Sequence, residues 1–204
     1  MLDSRVHEKV QQYIDLLKEY NETTNIYSKK SYDILDYHIA DSLNLAELIK
    51  DSSIHVDMGS GSGLPGIILA IASNANIVCI ESKEKKRVFL NYAKEALDLD
   101  NLDVFDGDVQ LFTNRYSGRK IQSFSAKAFA KPPKLLTYLS MFRPHQYKRD
   151  GFCWVPVSIR QAELLKSYDD VLQKTTNGEV FYYFKIRLNS FRSYKADLKM
   201  KYNL

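Results

Sequence analysis

The sequence predicts an α/β protein built on a mostly parallel sheet with helices on both faces. Two observations carry this. From Ile54 onward, short apolar runs alternate with stretches of helical periodicity, the pattern of β-α-β units. The first of these runs leads straight into Asp57-Met-Gly-Ser-Gly-Ser-Gly-Leu-Pro-Gly66, and the apolar segment Ile67–Ala72 follows. That order reads as strand, glycine-rich turn and helix, with Pro65 in the first helical turn, where its missing N–H costs nothing. Glycines there permit positive φ and close approach of backbone to a ligand.

The elements follow in chain order. Residues 3 to 20 place Val6, Val10, Tyr13, Ile14 and Leu17 at helical spacing. A polar break at Asn21–Asn25 precedes a second helix over 32–50, with Ile34, Leu35, Ile39, Leu43, Leu45 and Leu48 inward. Strands are expected at 54–57, 76–81, 102–105, 120–127, 151–157 and 179–187. Helices are expected at 64–73, 83–97, 131–142 and 158–168. The aromatic run Val180–Ile186 should pair antiparallel with its neighbour. Residues 1–204 then form a single domain: a helical extension over 1–50, a cofactor-binding core over 51–188 and a basic tail over 189–204 bearing Arg192, Lys195, Lys199 and Lys201.

Composition narrows the class. With 45% hydrophobic residues in 204, the chain can bury a proper core. No apolar run approaches the roughly 20 residues of a membrane span. The N-terminus lacks the basic-then-apolar pattern of a signal peptide, so a cytoplasmic home is expected. Cys79 and Cys153 lie in apolar strand-like runs and read as buried free thiols, with no metal site expected. A net charge of +4 permits nucleic-acid binding without demanding it. The single Trp154 reads as core, and a monomer is expected.

Gly61-Ser-Gly-Leu-Pro-Gly66 also satisfies the dinucleotide fingerprint G-x-G-x-x-G, which alone discriminates weakly. Asp57 decides between ligands. A carboxylate at that strand end would repel a pyrophosphate, whereas S-adenosylmethionine has no phosphate and carries an ammonium and a sulfonium. Such a cofactor would meet Asp57, Gly59, Ser60, Gly61, Gly63, Leu64 and Pro65 along the turn. Glu81 ends the next strand, where an acid can accept two ribose hydroxyls, with Ser82 beside it. Asp108, followed by Val109, admits two readings: an acceptor for an adenine amino group, or the N-cap of a helix beginning Val-Gln-Leu-Phe.

Five segments in order resemble the small-subunit ribosomal RNA methyltransferase G family, also called glucose-inhibited division protein B. They are Tyr20-Asn21 with Asn25-Ile26; His38-Ile-Ala-Asp-Ser-Leu43; Asp57–Gly66; Glu81-Ser82 with Lys85-Lys86 and Phe89-Leu90; and Ala126-Lys-Ala-Phe-Ala130. The resemblance covers roughly residues 13–140. It implies a Rossmann-like class I methyltransferase fold with a mostly parallel seven-stranded sheet. It also implies methyl transfer from S-adenosylmethionine to guanine N7 in the decoding-region loop of 16S rRNA, on the small ribosomal subunit. Three positions depart from the family: Lys127 stands where arginine is usual, Tyr37 replaces an arginine before the histidine, and Val155-Pro156-Val157 replaces Leu-Lys-Gly.

Guanine N7 carries an in-plane lone pair and needs no deprotonation, so alignment rather than a general base is the requirement. Lys127 is expected to position substrate, and Lys127, Lys131, Lys134 and His38 are the candidate RNA contacts. For Lys131 and Lys134 the plainer reading is a solvated helix start, and for His38 a core histidine. Asp41 and Ser42 are read as packing the N-terminal helices over the cofactor. In the basic run Lys83–Arg87, only Lys85 is raised above a solvated face, by the family match. Other readings keep the fold: a methyltransferase of a small-molecule or protein acceptor, a binding-only relative, or an NAD-dependent oxidoreductase, which Asp57 disfavours.

Overall fold

The computed structural model describes residues 3–165 and 170–191. The basic tail beyond Phe191 lies outside the described residues. A seven-stranded sheet runs in the order β3-β2-β1-β4-β5-β7-β6. Its strands are β1 (Ile54–Met58), β2 (Asn76–Glu81), β3 (Leu102–Asp106), β4 (Ile121–Ser125), β5 (Tyr147–Val157), β6 (Val171–Thr176) and β7 (Glu179–Arg187). β1 to β5 are mutually parallel, and β7 pairs antiparallel with both β5 and β6. The order reverses at β1, which lies between β2 and β4. Open α/β sheets bind ligands outside the strand C-termini at such a switch point.

Helices α1 (Ser4–Thr24), α2 (Leu35–Ile49), α3 (Gly66–Ala72) and α4 (Glu84–Ala96) cover one face. Val10, Tyr13, Leu17, Leu45, Ile67, Phe89 and Leu90 pack there against Ile77, Cys79, Leu102 and Trp154. Helices α5 (Val109–Arg115), α6 (Pro132–Leu139) and α7 (Ile159–Leu165) cover the other. Phe112, Leu135, Leu136 and Leu139 meet Val56, Met58, Ile80 and Phe124 on that side. Val56 and Met58 serve the second layer, while His55 and Asp57 alternate with them in the two-residue period of a strand. Both cysteines are buried free thiols, and Trp154 is buried. No helix among the described residues is long and apolar enough to cross a membrane.

Three local expectations need correction. α1 continues through the polar stretch to Thr24 and stops at Asn25, whose left-handed φ of 48° ends it. Asn21 is buried there because its amide accepts from Ile26 and Tyr27 N–H and donates to the Tyr27 carbonyl and the Tyr32 hydroxyl. The second helix opens as a 3-10 turn over Lys29–Ile34 before α2. α5 is the helix that one reading of Asp108 anticipated, whereas β6 was not among the expected elements. β6 is an edge strand of mixed polar residues with little burial, so it carries no strong apolar pattern to read.

Candidate active site

The turn after β1 is held from below by a buried polar chain. Ser52 and Ser123 hydroxyls lie 2.7 Å apart, Ser123 Oγ is 2.7 Å from His55 Nδ1, and His55 Nε2 is 2.8 Å from Ser125 Oγ. Ser125 Oγ donates to Asp57 Oδ1 at 2.6 Å. With Ser125 committed as donor, it accepts from His55 Nε2–H, which leaves Nδ1 to accept from Ser123. Burial pulls the His55 pKa down to about 3, so the ring is neutral. Burial pushes the Asp57 carboxyl up, against the opposing influence of the Ser125 and Ser60 hydroxyls, the Gly66 amide and Lys127.

Asp57 is 1% exposed. Its Oδ2 lacks a partner of full hydrogen-bond geometry and faces the start of α3, 3.0 Å from where a Cβ on Gly66 would stand. The structure thus sets Asp57 beneath the turn, against the N-terminus of α3, and not on a cavity wall. Gly59, Gly61 and Gly63 take φ values of 74°, 60° and 99°. Gly59 also has no room for a side chain: a Cβ would stand 2.3 Å from Phe129 Cδ2. Tyr13 of α1 donates its hydroxyl to the Ser62 carbonyl at 2.9 Å, tying the first helix to the turn.

Three adjoining cavities open along the C-terminal edge of the sheet. One of about 500 Å³ is lined by Gly59, Glu81, Ser82, Lys83, Lys86, Asp108, Val109, Phe129 and Tyr138, among others. Glu81 is 6% exposed; its Oε2 accepts from Gly61 N–H at 2.9 Å and its Oε1 from Lys83 N–H at 2.8 Å. Each oxygen keeps lone-pair capacity, because an ionised carboxylate has about four acceptor sites. Of the two readings of Asp108, the structure shows the helix cap, made through Leu111 N–H at 2.8 Å, and it also leaves the residue bordering the cavity.

A second cavity, of about 320 Å³, is lined by Ser60, Gly61, Leu64, His38, Lys86 and Lys127, and a third, of about 390 Å³, by Tyr37, His38, Asp41, Lys127, Pro156 and Tyr182. Ala128 borders all three and takes a left-handed φ of 51°. Sites of function are where such strain tends to be kept. Of the predicted contacts, Gly63 and Pro65 shape the turn without lining these cavities.

Lys127 Nζ sits 2.7 Å from Asp41 Oδ2, and Asp41 Oδ1 accepts from the Tyr183 hydroxyl at 2.8 Å. A phosphate would therefore share this ammonium with Asp41. His38 is half-buried; burial, then Lys127, lowers its pKa, and its Nδ1 finds no partner among the described residues. Ser42 donates to the His38 carbonyl within α2. Lys131 and Lys134 are exposed, with Lys134 Nζ 6.0 Å from the Tyr138 ring centre.

Lys85, singled out in the sequence, is structural: it donates to the Thr24 and Asn25 carbonyls at the end of α1. Its neighbour Lys86 reaches the cavities instead, with Nζ 3.7 Å from where a Cβ on Gly61 would be. The sequence held the pair but not the helical phase that separates them.

Comparison with known proteins identifies the family. The chain is 34% identical over 169 residues to ribosomal RNA small subunit methyltransferase G of Gluconobacter oxydans, spanning 80% of this chain and 81% of that one. The namesake from Brachyspira hyodysenteriae is 43% identical over 105 residues, which span 50% of this chain and about half (52%) of the relative. Among solved structures, an O-methyltransferase from Bacillus cereus in complex with SAH superposes with a TM-score of 0.52 at 16% identity, covering 91% and 90% of the two chains. At that identity the likeness is one of fold, the Rossmann-like fold of class I methyltransferases. Residues 6–146 match the family described as rRNA small subunit methyltransferase G, and the chain belongs to that family.

Proposed function

We propose that this protein transfers a methyl group from S-adenosylmethionine to N7 of a guanine in the decoding-region loop of 16S rRNA. The observation that carries the cofactor reading is Glu81. It is buried at the end of β2, oriented by two backbone N–H groups, and borders a cavity that the Gly59 turn and Asp108 also line. That volume lies within the roughly 300–1,000 Å³ of small-molecule sites.

The donor set fits the cofactor. Glu81 would accept the ribose hydroxyls, and Asp108 and Val109 would meet the adenine, while Ser82 edges the same wall. Lys86 stands by the turn, where the cofactor's carboxylate would lie. Asp57 would act through the turn, its carboxyl group set against the backbone amides that open α3. Gly59 lets the backbone approach closely. S-adenosylmethionine supplies an electrophilic methyl group, and the protein's task is to hold the acceptor nitrogen in line with it.

Lys127, fixed by Asp41 between the second and third cavities, would position the acceptor nucleotide, with His38 on the same wall and Lys131 and Lys134 further out. The third cavity is lined by Tyr37 and Pro156, two of the positions at which the resemblance to the family breaks, together with Tyr182.

Calorimetry with S-adenosylhomocysteine tests the cofactor, and absence of binding overturns it. Small ribosomal subunits from a strain lacking the modification test the acceptor. Incubation with enzyme and S-adenosylmethionine should yield N7-methylguanine in nuclease digests of 16S rRNA. Binding of cofactor without that product would favour a different acceptor.

A further inference from the structure

Two segments far apart in sequence meet beside the cofactor cavity to form a basic groove. The 3-10 turn before α2 contributes Lys29 and Lys30, and the start of α4 contributes Lys83, Lys85 and Lys86. With the uncharged residues 25–28 they line a depression of about 500 Å³ that has no carboxylate in its wall. The whole chain carries a net charge of only +4, so five ammonium groups here are a local concentration. Lys29 pairs at 3.2 Å with Glu22, at an exposed site where such a pair contributes little. Lys85 donates to backbone carbonyls, which leave its charge in place. Lys30, Lys83 and Lys86 have no carboxylate within ion-pair distance among the described residues.

The groove is continuous with the site. Lys83 and Lys86 also line the cofactor cavity, and residues 26–28 also line the adjoining one. A polyanion lying along it would pass beside the glycine turn. We infer that this groove holds the phosphodiester backbone of the RNA that presents the acceptor base, an inference that rests on the rRNA reading above. Lysines suit this role because point charges on flexible stems hold phosphates without reading sequence. Lys127 is less suited to it, since Asp41 already neutralises its ammonium.

The test compares Lys29→Glu/Lys30→Glu with Lys120→Glu, all in the full chain. Lys29 and Lys30 line only this groove, whereas Lys120 is exposed just ahead of β4, at the opposite end of the sheet. Methyl transfer to unmodified small subunits is measured from 50 to 200 mM salt, the range over which phosphate contacts are revealed. The double variant should raise KM for subunits about tenfold, and its log–log salt slope should shrink by about 0.7–0.9 per lysine removed. Its affinity for S-adenosylhomocysteine should match that of the wild type, which reports an intact fold. An unchanged KM and slope, or an equal effect from Lys120→Glu, overturns the inference alone. Competition by polyglutamate as strong as by an RNA oligomer of equal charge also overturns it, in favour of an acidic protein partner. Wild-type enzyme that binds cofactor but methylates no subunit overturns the functional reading, and this inference with it.

Discussion

Lys127 and Asp41 form a buried ion pair that joins the loop after β4 to α2, with Nζ 2.7 Å from Oδ2 and only 13% and 6% of the two side chains exposed. Tyr183 of β7 donates to the same carboxylate, so three elements meet on one buried charge. Removing one partner of a buried pair leaves the other uncompensated. Asp41→Asn should therefore cost about 3–5 kcal/mol in urea unfolding. Asp41→Asn/Lys127→Met should recover part of that loss, because no lone buried charge remains. A double variant no more stable than the single would show that the pair is not what holds these elements.

The neutral His55 sets a pH dependence. Its pKa is about 3 in the fold against 6.5 unfolded, so below pH 6.5 the unfolded chain binds the extra proton. Stability from this group is thus complete above pH 6.5 and is lost as pH falls toward 3, at up to about 1.4 kcal/mol per pH unit. Asp57 has the opposite sign: its raised carboxyl binds a proton more tightly when folded, so its contribution weakens as pH rises above 3.8. His55→Gln removes the first dependence. The stability difference between wild type and variant, from urea midpoints, should shrink as pH falls from 6.5 to 3. A constant difference would refute a neutral His55.

The glycines of the turn should fail in different ways. A Cβ on Gly66 would stand 2.3 Å from Cys79 Sγ and 3.0 Å from Asp57 Oδ2. Gly66→Ala should lower stability by about 1–3 kcal/mol through overpacking. Gly61 has open space around its Cβ position, with Lys86 Nζ nearest at 3.7 Å, but a φ of 60°. Gly61→Ala should cost about 1–2 kcal/mol of backbone strain and keep the fold. Since Gly61 borders the second cavity and donates to Glu81, its larger effect should be on S-adenosylhomocysteine affinity. Thermal unfolding and calorimetry on both variants separate the two.

Glu81→Gln keeps the size of the side chain but turns one acceptor oxygen into a donor facing a backbone N–H. A lost charge-assisted hydrogen bond is worth about 1.5–3 kcal/mol, so cofactor affinity should fall roughly 10- to 100-fold. Calorimetric affinity within twofold of wild type would remove Glu81 from the cofactor site.

How much of this was legible in advance follows the reach of each signal. The parallel core was legible because short strand-like segments alternate with helical periodicity, and β2 and β7 occupy the residues expected. β6 was not, since an edge strand that buries little needs no apolar pattern. The turn from Asp57 to Gly66 was legible as a tight turn between strand and helix through its glycines. What its aspartate touches was not, because Ser125 and His55 reach it only through the pairing of β1 with β4.

By itself the sequence determined the fold class, the glycine turn and the acid ending β2, because each rests on local periodicity or on backbone freedom. Only the tertiary structure decided which of two adjacent lysines lines the cavity beside Glu81. One residue is a rotation of about 100° on a helix, and that sends Lys85 to the end of α1 and Lys86 to the cavity. It likewise decided that Lys127 is a paired charge and that Lys29 and Lys30 join α4 in one groove. Partnerships across so many residues are set by packing, which no local pattern encodes.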